Sequence, residues 1–163
     1  DVWRVESGVD PNFERPGDWD LRICDRITVE IKSSIEKSTN DLEFILKNRR
    51  FTIYYGKAKC DINIQVFYIP INLDFGRRVE ESQEIESKDV DSIIELFKRY
   101  VPEGYLMGWI KKEDLIRSPP IELTGRTSWE RPRCYYDAKL YQGEPMEKLL
   151  HYIKELCGYE ECE

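Results

Sequence analysis

The chain has 163 residues, of which 40% are hydrophobic and 35% charged, and its formal net charge is −7. This length and apolar content are enough for a folded domain, so we exclude a collagen-like or wholly disordered chain. The sequence has no membrane-length apolar run and no signal-peptide pattern, so we expect a protein that does not span a membrane. The negative charge argues against a purely electrostatic nucleic-acid binder, but not against an enzyme with one basic face.

The N-terminal half alternates apolar and polar residues in several short runs, which predicts β-strands. The predicted strands cover residues 1–6, 19–23, 27–33, 51–55 and 61–69, and the last two are separated by a GKAK turn. Between the third and fourth strands, Asn40 is predicted to cap a short helix that ends near residue 48. Its predicted apolar face consists of Leu42, Ile45 and Leu46.

The C-terminal half predicts two longer helices, over residues 88–101 and 145–157, with Gly158 as the stop of the second. Residues 73–87 and 117–133 are predicted as loops, and residues 105–110 as a strand. The helices are expected to pack on the sheet through Ile93, Ile94, Phe97, Leu149, Leu150 and Ile153. The predicted fold is a single α/β domain with a central mixed β-sheet flanked by helices, and exposed helix stripes would instead indicate a homodimer.

Cysteine usage favours a reducing, cytoplasmic location, because an odd number of scattered cysteines is not a secreted disulfide framework. We interpret the five cysteines as small buried hydrophobic groups: Cys24, Cys60, Cys134, Cys157 and Cys162. Two alternatives are a Cys157–Cys162 pair, or a zinc site built from Cys134, Cys157, Cys162 and His151. His151 is the single histidine and is predicted to be a solvated helix residue. The motifs GxSxG, GxxxxGK[ST], GxGxxG and HExxH are absent.

Residues 16–34, PGDWDLRICDRITVEIKSS, are the most informative part of the sequence. They predict a hairpin whose turn consists of Cys24, Asp25 and Arg26. This turn pairs Leu21 with Val29 and Asp20 with Glu30, which places every apolar residue on one face. A two-residue turn would pair Leu21 with Glu30 and mix the faces, so the pattern favours the three-residue turn.

The predicted register brings two carboxylates, Asp20 and Glu30, to within about 5 Å of each other at Cβ. Like charges in this position need compensation, and a divalent cation such as Mg²⁺ prefers carboxylate oxygens. Lys32 follows on the same face, so the residues suggest a site that hydrolyses phosphodiesters. The alternative is an exposed hairpin face with Asp20–Lys32 and Arg22–Glu30 ion pairs.

The pattern Asp…Glu-x-Lys on a hairpin resembles the PD-(D/E)XK nuclease superfamily. The matching residues are Asp20 and Glu30-Ile31-Lys32, followed in the family's order by Ser33-Ser34, a helix near 40–48 and a strand at 61–69. The resemblance covers about residues 1–70 and implies a restriction-endonuclease-like core, with residues 71–163 as a C-terminal elaboration. It also implies that Asp20, Glu30 and the Ile31 carbonyl bind Mg²⁺ or Mn²⁺, and that Lys32 orients the attacking water.

The resemblance is not exact at two places. Asp18 is an alternative to Asp20 as the motif aspartate, and we prefer Asp20 because it faces Glu30. Many members also have a glutamate on a helix before the first strand, and the substitutes in this chain are Glu6 and Glu14.

Basic residues are spread around this core and are candidates for contacts with a DNA backbone. The candidates are Arg49, Arg50 and Lys57, together with Lys37, Lys47 and Lys59, and Arg126 and Arg131 around Trp129 are candidates for base contacts. A solvated surface is the alternative for each of them. The sequence therefore predicts a metal-dependent DNA endonuclease, with an RNA-processing nuclease or a non-catalytic, partner-binding module of nuclease-like fold as alternatives.

Overall fold

The computed structural model describes residues 4–8, 17–36, 38–70, 94, 98, 103–123 and 133–158. The strands are β1 (Val5–Ser7), β2 (Leu21–Ile23), β3 (Ile27–Ile35), β4 (Ile62–Ile69), β5 (Glu103–Lys111), β6 (Pro120–Leu123) and β7 (Arg133–Tyr136). The helices are α1 (Leu42–Asn48), α2 (Lys112–Arg117) and α3 (Leu149–Cys157), with 3₁₀ turns at Leu140–Gln142 and Met146–Lys148. Among these elements, no helix is long and apolar enough to cross a membrane.

Five strands form one mixed sheet in the order β1-β2-β3-β4-β5, and β6 and β7 form a separate two-stranded sheet. Strands β3 and β4 are parallel, whereas the other neighbours are antiparallel. Parallel neighbours need a crossover connection, and α1 lies in the segment that joins β3 to β4. The predicted α/β fold with a central mixed sheet is confirmed.

The β2–β3 hairpin has the predicted three-residue turn, with Ile23 opposite Ile27 and Leu21 opposite Val29. Cys24 and Asp25 occupy the left-handed region, at φ 52° and 61°. Such values are uncommon for residues other than glycine, but aspartate tolerates them better than most. The burial of one hairpin face therefore fixes the register even though the turn contains no glycine.

Each face of the central sheet packs against its own hydrophobic layer. On one face, Ile27 and Val29 of β3 contact Leu149 and Ile153 of α3. On the other face, Phe67 of β4 belongs to a cluster that includes α1, α2 and the segment after α1. The polar residues of β3 point toward this second layer, because side chains alternate along a strand.

Fewer apolar side chains of the C-terminal helix α3 pack against the sheet than the sequence predicts. Leu149 and Ile153 are buried as predicted, but the prediction for Leu150 is wrong, because that side chain is 59% exposed. Residues four apart share a helix face, whereas Leu150 is turned about 100° away from Leu149. Gly158 ends the helix at φ 77°, as predicted.

The predicted helix over residues 88–101 lies largely outside the described residues. Ile94 and Lys98 are described and both are helical. Ile94 is 45% exposed, so its predicted packing on the sheet is wrong. Ile93 and Phe97 lie outside the described residues.

Helix α1 differs from its prediction in its cap and in its buried face. Asp41 is the N-cap instead of Asn40, and its Oδ1 accepts hydrogen bonds from the backbone N–H groups of residues 43 and 44. Only Ile45 is buried, whereas Leu42 and Leu46 are exposed. A helix this short has room for one residue toward the core.

Several irregular segments were predicted incorrectly. Residues 51–55 do not form a strand, since only isolated bridges tie this region to the C-terminal part, at Arg50–Lys139 and Tyr54–Tyr135. Strand β6 lies in the predicted loop 117–133, and β7 begins at its end. Residues 73–87 and 124–132, which include Trp129, lie outside the described residues.

A disulfide joins Cys24 in the β2–β3 turn to Cys157 at the end of α3, across 133 residues. The interpretation of these two cysteines as separate buried thiols is therefore wrong, and Cys157 is not available to Cys162. Cys60 is a buried free thiol and Cys134 an exposed one. Cys162 lies outside the described residues.

Replacing Ile153 by Ala is expected to lower the free energy of unfolding by about 2–4 kcal/mol, because Ile153 is 3% exposed beneath the sheet. Leu150→Ala is the matched control on the same helix and is expected to change it by less than about 1 kcal/mol. Urea denaturation of both variants measures the difference. Equal losses would contradict the packing of α3 described above.

Candidate active site

Asp20 lies immediately before β2, at the point where the β2–β3 ladder stops and β3 extends beyond it. The ladder stops at Leu21 and Val29, and the Asp20 amide donates to the Val29 carbonyl at 2.9 Å. Oδ2 of Asp20 then accepts the Ile31 amide at 2.6 Å, in place of a backbone partner. The carboxylate is thereby fixed against the Glu30-Ile31-Lys32 segment.

The same edge of β3 offers further oxygen atoms. The N–H and C=O groups of one strand residue point to the same edge, so the Ile31 carbonyl faces the side on which Asp20 lies. Oδ1 of Asp20 has no hydrogen bond within the described part of the chain. Oδ1 of Asp20 and the carbonyl oxygen of Ile31 are therefore both directed to this corner. Neither is used by the β2–β3 ladder, which stops at Leu21 and Val29.

Glu30 and Lys32 point to the same face of β3, and their side chains form an ion pair. They are partly exposed, at 22% and 40%, so the pair is accessible from solvent. Within the described residues, the Asp20–Lys32 and Arg22–Glu30 ion pairs of the alternative hairpin are not formed, and Arg22 binds Glu6 instead. The ion pair at this corner therefore joins two residues of β3, Glu30 and Lys32, and does not connect β2 with β3.

Cys60 lies two residues before β4 and contacts both Glu30 and the backbone of Asp18. Its thiol contacts Oε2 of Glu30 at 3.7 Å and the Asp18 carbonyl at 3.4 Å. Burial raises the pKa of the Cys60 thiol to about 11, and the negative charges of Glu30 and Asp20 add to the effect. Cys60 is therefore a neutral thiol at pH 7 that borders the Glu30 carboxylate.

Two buried polar residues of β4 support this corner and were not identified from the sequence. Asn63 is opposite Glu30 and Gln65 is opposite Lys32 in the parallel register, and both are at most 1% exposed. Oε1 of Gln65 accepts from the amide and the hydroxyl of Thr52, each at 2.9 Å. The signal that indicates them is the alternation of polar residues within the buried strand INIQVFYI.

The alternative acidic residues are already paired with cations. Asp18 is exposed and binds Lys59, whose hydrogen bond lowers the pKa of the Asp18 carboxyl. Glu6 binds Arg22 and Arg4, and the Arg22 hydrogen bond is the main cause that lowers the pKa of Glu6. Asp20 is therefore the aspartate held against β3, through the Ile31 amide, and Glu14 lies outside the described residues.

Most of the basic candidates are also internally paired. Arg49 binds Glu36 at 2.6 Å, Arg50 binds Asp137, and Lys47 binds Glu43. Lys57 is exposed and has no acidic partner within the described ranges. Lys37, Arg126 and Arg131 lie outside the described residues. Lys57 is thus the basic candidate whose charge stays available.

The Glu36–Arg49 pair predicts a pH-dependent contribution to stability. Burial opposes ionisation of Glu36, but hydrogen bonds from Arg49 and Ser38 outweigh it and lower the pKa of Glu36 to about 2. Because the ordinary value is 4.5, the stabilisation is complete above pH 4.5 and is lost as the pH falls toward 2. Glu36→Gln is expected to cost about 1–3 kcal/mol at pH 7 and nothing near pH 2. Denaturation midpoints across this range measure it, and a pH-independent difference would contradict it.

The donor set fits a magnesium ion. Mg²⁺ is usually held by one or two carboxylates and keeps several waters, which matches Asp20, Glu30 and the Ile31 carbonyl. In the described ranges, no three His, Cys, Asp or Glu side chains converge, so no closed protein cage is formed there.

No match is found to a protein-family model, to a curated protein or to a solved structure.

Proposed function

We propose that the protein is a metal-dependent endonuclease that hydrolyses phosphodiester bonds of DNA. The observation that supports this most is the position of Asp20, which the Ile31 amide holds beside the Glu30–Lys32 pair. Two carboxylates and an ammonium at one accessible corner are the groups that metal-assisted phosphodiester hydrolysis uses.

The order of the elements also supports the proposal. The carboxylate hairpin β2–β3 is followed by α1 and then by β4, which is parallel to β3. This is the order implied by the resemblance of residues 1–70 to the PD-(D/E)XK superfamily. The polar residues Asn63 and Gln65 of β4 lie beside the catalytic candidates of β3.

The proposed mechanism assigns one role to each side chain. Asp20 and Glu30, together with the Ile31 carbonyl, hold the ion. An ion held there, Mg²⁺ or Mn²⁺, would supply positive charge for the scissile phosphate and would lower the pKa of a water molecule. Lys32 orients that water and stabilises the negative charge that develops on the phosphate. The expected products carry a 5′-phosphate, as the resemblance implies.

A non-catalytic module that binds a partner protein is the alternative. The net charge of −7 and the internal pairing of Arg49 and Arg50 favour it. The presence of all three reactive groups at one corner favours the enzyme, because a binding module does not need them. An RNA substrate would use the same chemistry, so the test includes RNA.

The test incubates plasmid, linear DNA, branched DNA and RNA with the full chain and Mg²⁺ or Mn²⁺, with EDTA as the metal-free arm. We expect metal-dependent cleavage that Asp20→Asn abolishes. Asp18→Asn is the matched control, since Asp18 lies two residues away, is exposed and binds Lys59. This control also detects a contaminating nuclease, which neither substitution would affect.

Two outcomes would contradict these assignments. Cleavage that survives Asp20→Asn but not Asp18→Asn moves the motif aspartate to Asp18. No cleavage of any substrate with either metal leaves the partner-binding module as the function.

A further inference from the structure

Two contacting tyrosine pairs lie at the junction between the segment after α1 and strand β7. The rings of Tyr54 and Tyr135 stack at 4.8 Å with an interplanar angle of 20°, whereas those of Tyr55 and Tyr136 lie 4.9 Å apart at a tilt of 50°, and Tyr136 is buried in the core. We call these four residues the tyrosine ladder. Tyr54 is 39% and Tyr55 48% exposed, so the ladder offers ring surface to solvent.

The charge beside the ladder is positive. The exposed Arg133 donates to the Tyr54 hydroxyl at 3.0 Å. It has no ion pair with a carboxylate in the described part of the chain. Glu122 is opposite Cys134 in the β6–β7 pair, so it points to the face away from Arg133. Lys57, three residues after Tyr54, adds a second cation that has no acidic partner among the residues that the structure describes.

The ladder lies close to the candidate active site, on the same side of the central sheet. Tyr54 is two residues from Thr52, which binds Gln65, and Gln65 is the β4 neighbour of Lys32. Neighbouring strands are about 4.8 Å apart and each extended residue adds about 3.5 Å, so Tyr54 is within about 20 Å of Lys32. This distance corresponds to about six stacked nucleotides or fewer.

We propose that the tyrosine ladder binds the unpaired bases of a single-stranded nucleic-acid segment next to the phosphodiester that the active site cleaves. The link to cleavage rests on the proposed nuclease function. Exposed tyrosine rings stack on any base, and Arg133 and Lys57 supply positive charge for its phosphates. A duplex hides the faces of its bases, so the ladder selects single strands, overhangs or junctions.

Stacking also explains how an acidic chain can bind a polyanion. The net charge of −7 weakens long-range attraction, whereas base stacking is a short-range contact that depends little on total charge. Binding at the ladder is therefore expected to depend on ring area more than on the number of cations.

The experiment measures fluorescence anisotropy of labelled oligonucleotides of about 12 nucleotides, a length within the usual site size for such surfaces. Single-stranded DNA, single-stranded RNA and blunt duplex DNA are titrated with the full chain in EDTA, where metal-dependent cleavage cannot occur. We expect Tyr54→Ala and Tyr55→Ala to raise the Kd for single strands about 5- to 150-fold. Tyr141→Ala is the matched control, because Tyr141 is 60% exposed and lies outside the ladder.

A second variant tests whether binding depends on the aromatic ring of Tyr54 or on its hydroxyl group. Tyr54→Phe keeps the aromatic ring but loses the acceptor for Arg133, and we expect its Kd to stay within about threefold of wild type, since stacking needs only the ring. This conservative variant keeps the proposal testable if Tyr54→Ala fails to fold, which circular dichroism would show.

The outcomes distinguish this proposal from the nuclease proposal. Tyrosine-dependent binding without cleavage keeps the ladder and rejects the nuclease. Cleavage with single-strand binding that the alanine variants do not change rejects the ladder and keeps the nuclease. Equal affinity for duplex and single strands, or no binding at all, also rejects the ladder. The DNA and RNA arms show which sugar the surface accepts.

Discussion

Lys32→Ala is expected to lower the rate of DNA cleavage about 100- to 1000-fold while the protein still binds the metal ion. The ammonium acts on charge that develops in the transition state, and removing one such stabilising group typically has this effect on kcat. Metal binding is expected to be retained because the proposed ligands are Asp20, Glu30 and the Ile31 carbonyl. Single-turnover cleavage measures the rate, and calorimetry with Mn²⁺ and DNA measures metal binding.

Glu30→Ala is the informative comparison, because Glu30 is the proposed metal ligand in the same ion pair. It is expected to lose metal binding and cleavage together. A Lys32→Ala protein that cleaves at the wild-type rate would reject the role assigned to Lys32. Loss of metal binding in Lys32→Ala, with the fold intact, would show that Lys32 supports the ligands and does not act on the phosphate.

Cys24→Ser is expected to lower the free energy of unfolding by about 2–5 kcal/mol, because the Cys24–Cys157 bond closes a loop of 133 residues. In the chain-entropy account, such a cross-link removes conformations from the unfolded chain. Urea denaturation with and without a dithiol reductant measures the effect, and reduced wild type is expected to match the variant.

Cys134→Ser is the control for this experiment, since Cys134 is an exposed free thiol. Its stability is expected to equal that of wild type under both conditions. Wild type that is equally stable with and without the reductant would show that Cys24 and Cys157 are separate thiols, as the sequence suggests.

The β2–β3 hairpin could be predicted from the sequence because its information is local. The alternation of Leu21, Ile23, Ile27 and Val29 permits a single register that buries one face, and the structure has that register. The same register predicts that Asp20 and Glu30 are neighbours. It does not predict that Asp20 binds the Ile31 amide, since that depends on where the ladder stops.

Elements with distant partners could not be predicted in the same way. Tyr54 meets Tyr135 through an isolated bridge, so the residues around it have strand-like composition without forming a strand. The Cys24–Cys157 disulfide forms because α3 packs against the β2–β3 hairpin. The spacing of the cysteines in the sequence does not indicate this packing. Leu150 is exposed because the sheet covers only one stripe of α3.

The supporting residues of the candidate site were missed for a related reason. Cys60, Asn63 and Gln65 reach the site only because β4 lies parallel to β3, and strand order is not visible in a local pattern. Their polarity within a buried strand was the available signal, because buried polar groups need partners and tend to face other polar groups.

The parallel pairing of β3 and β4 has a consequence for the order of folding. The β2–β3 hairpin closes over three residues, and hairpins of this kind form within about 10 μs. Strand β4 cannot join β3 until residues 36–61 have crossed over, and such non-local pairing slows folding. Asp20, Glu30 and Lys32 are therefore expected to meet early, on an open hairpin edge. Strand β4 joins the edge of β3 that faces away from β2 in a later step, so a chain interrupted before residue 62 has these three side chains without the neighbouring strand.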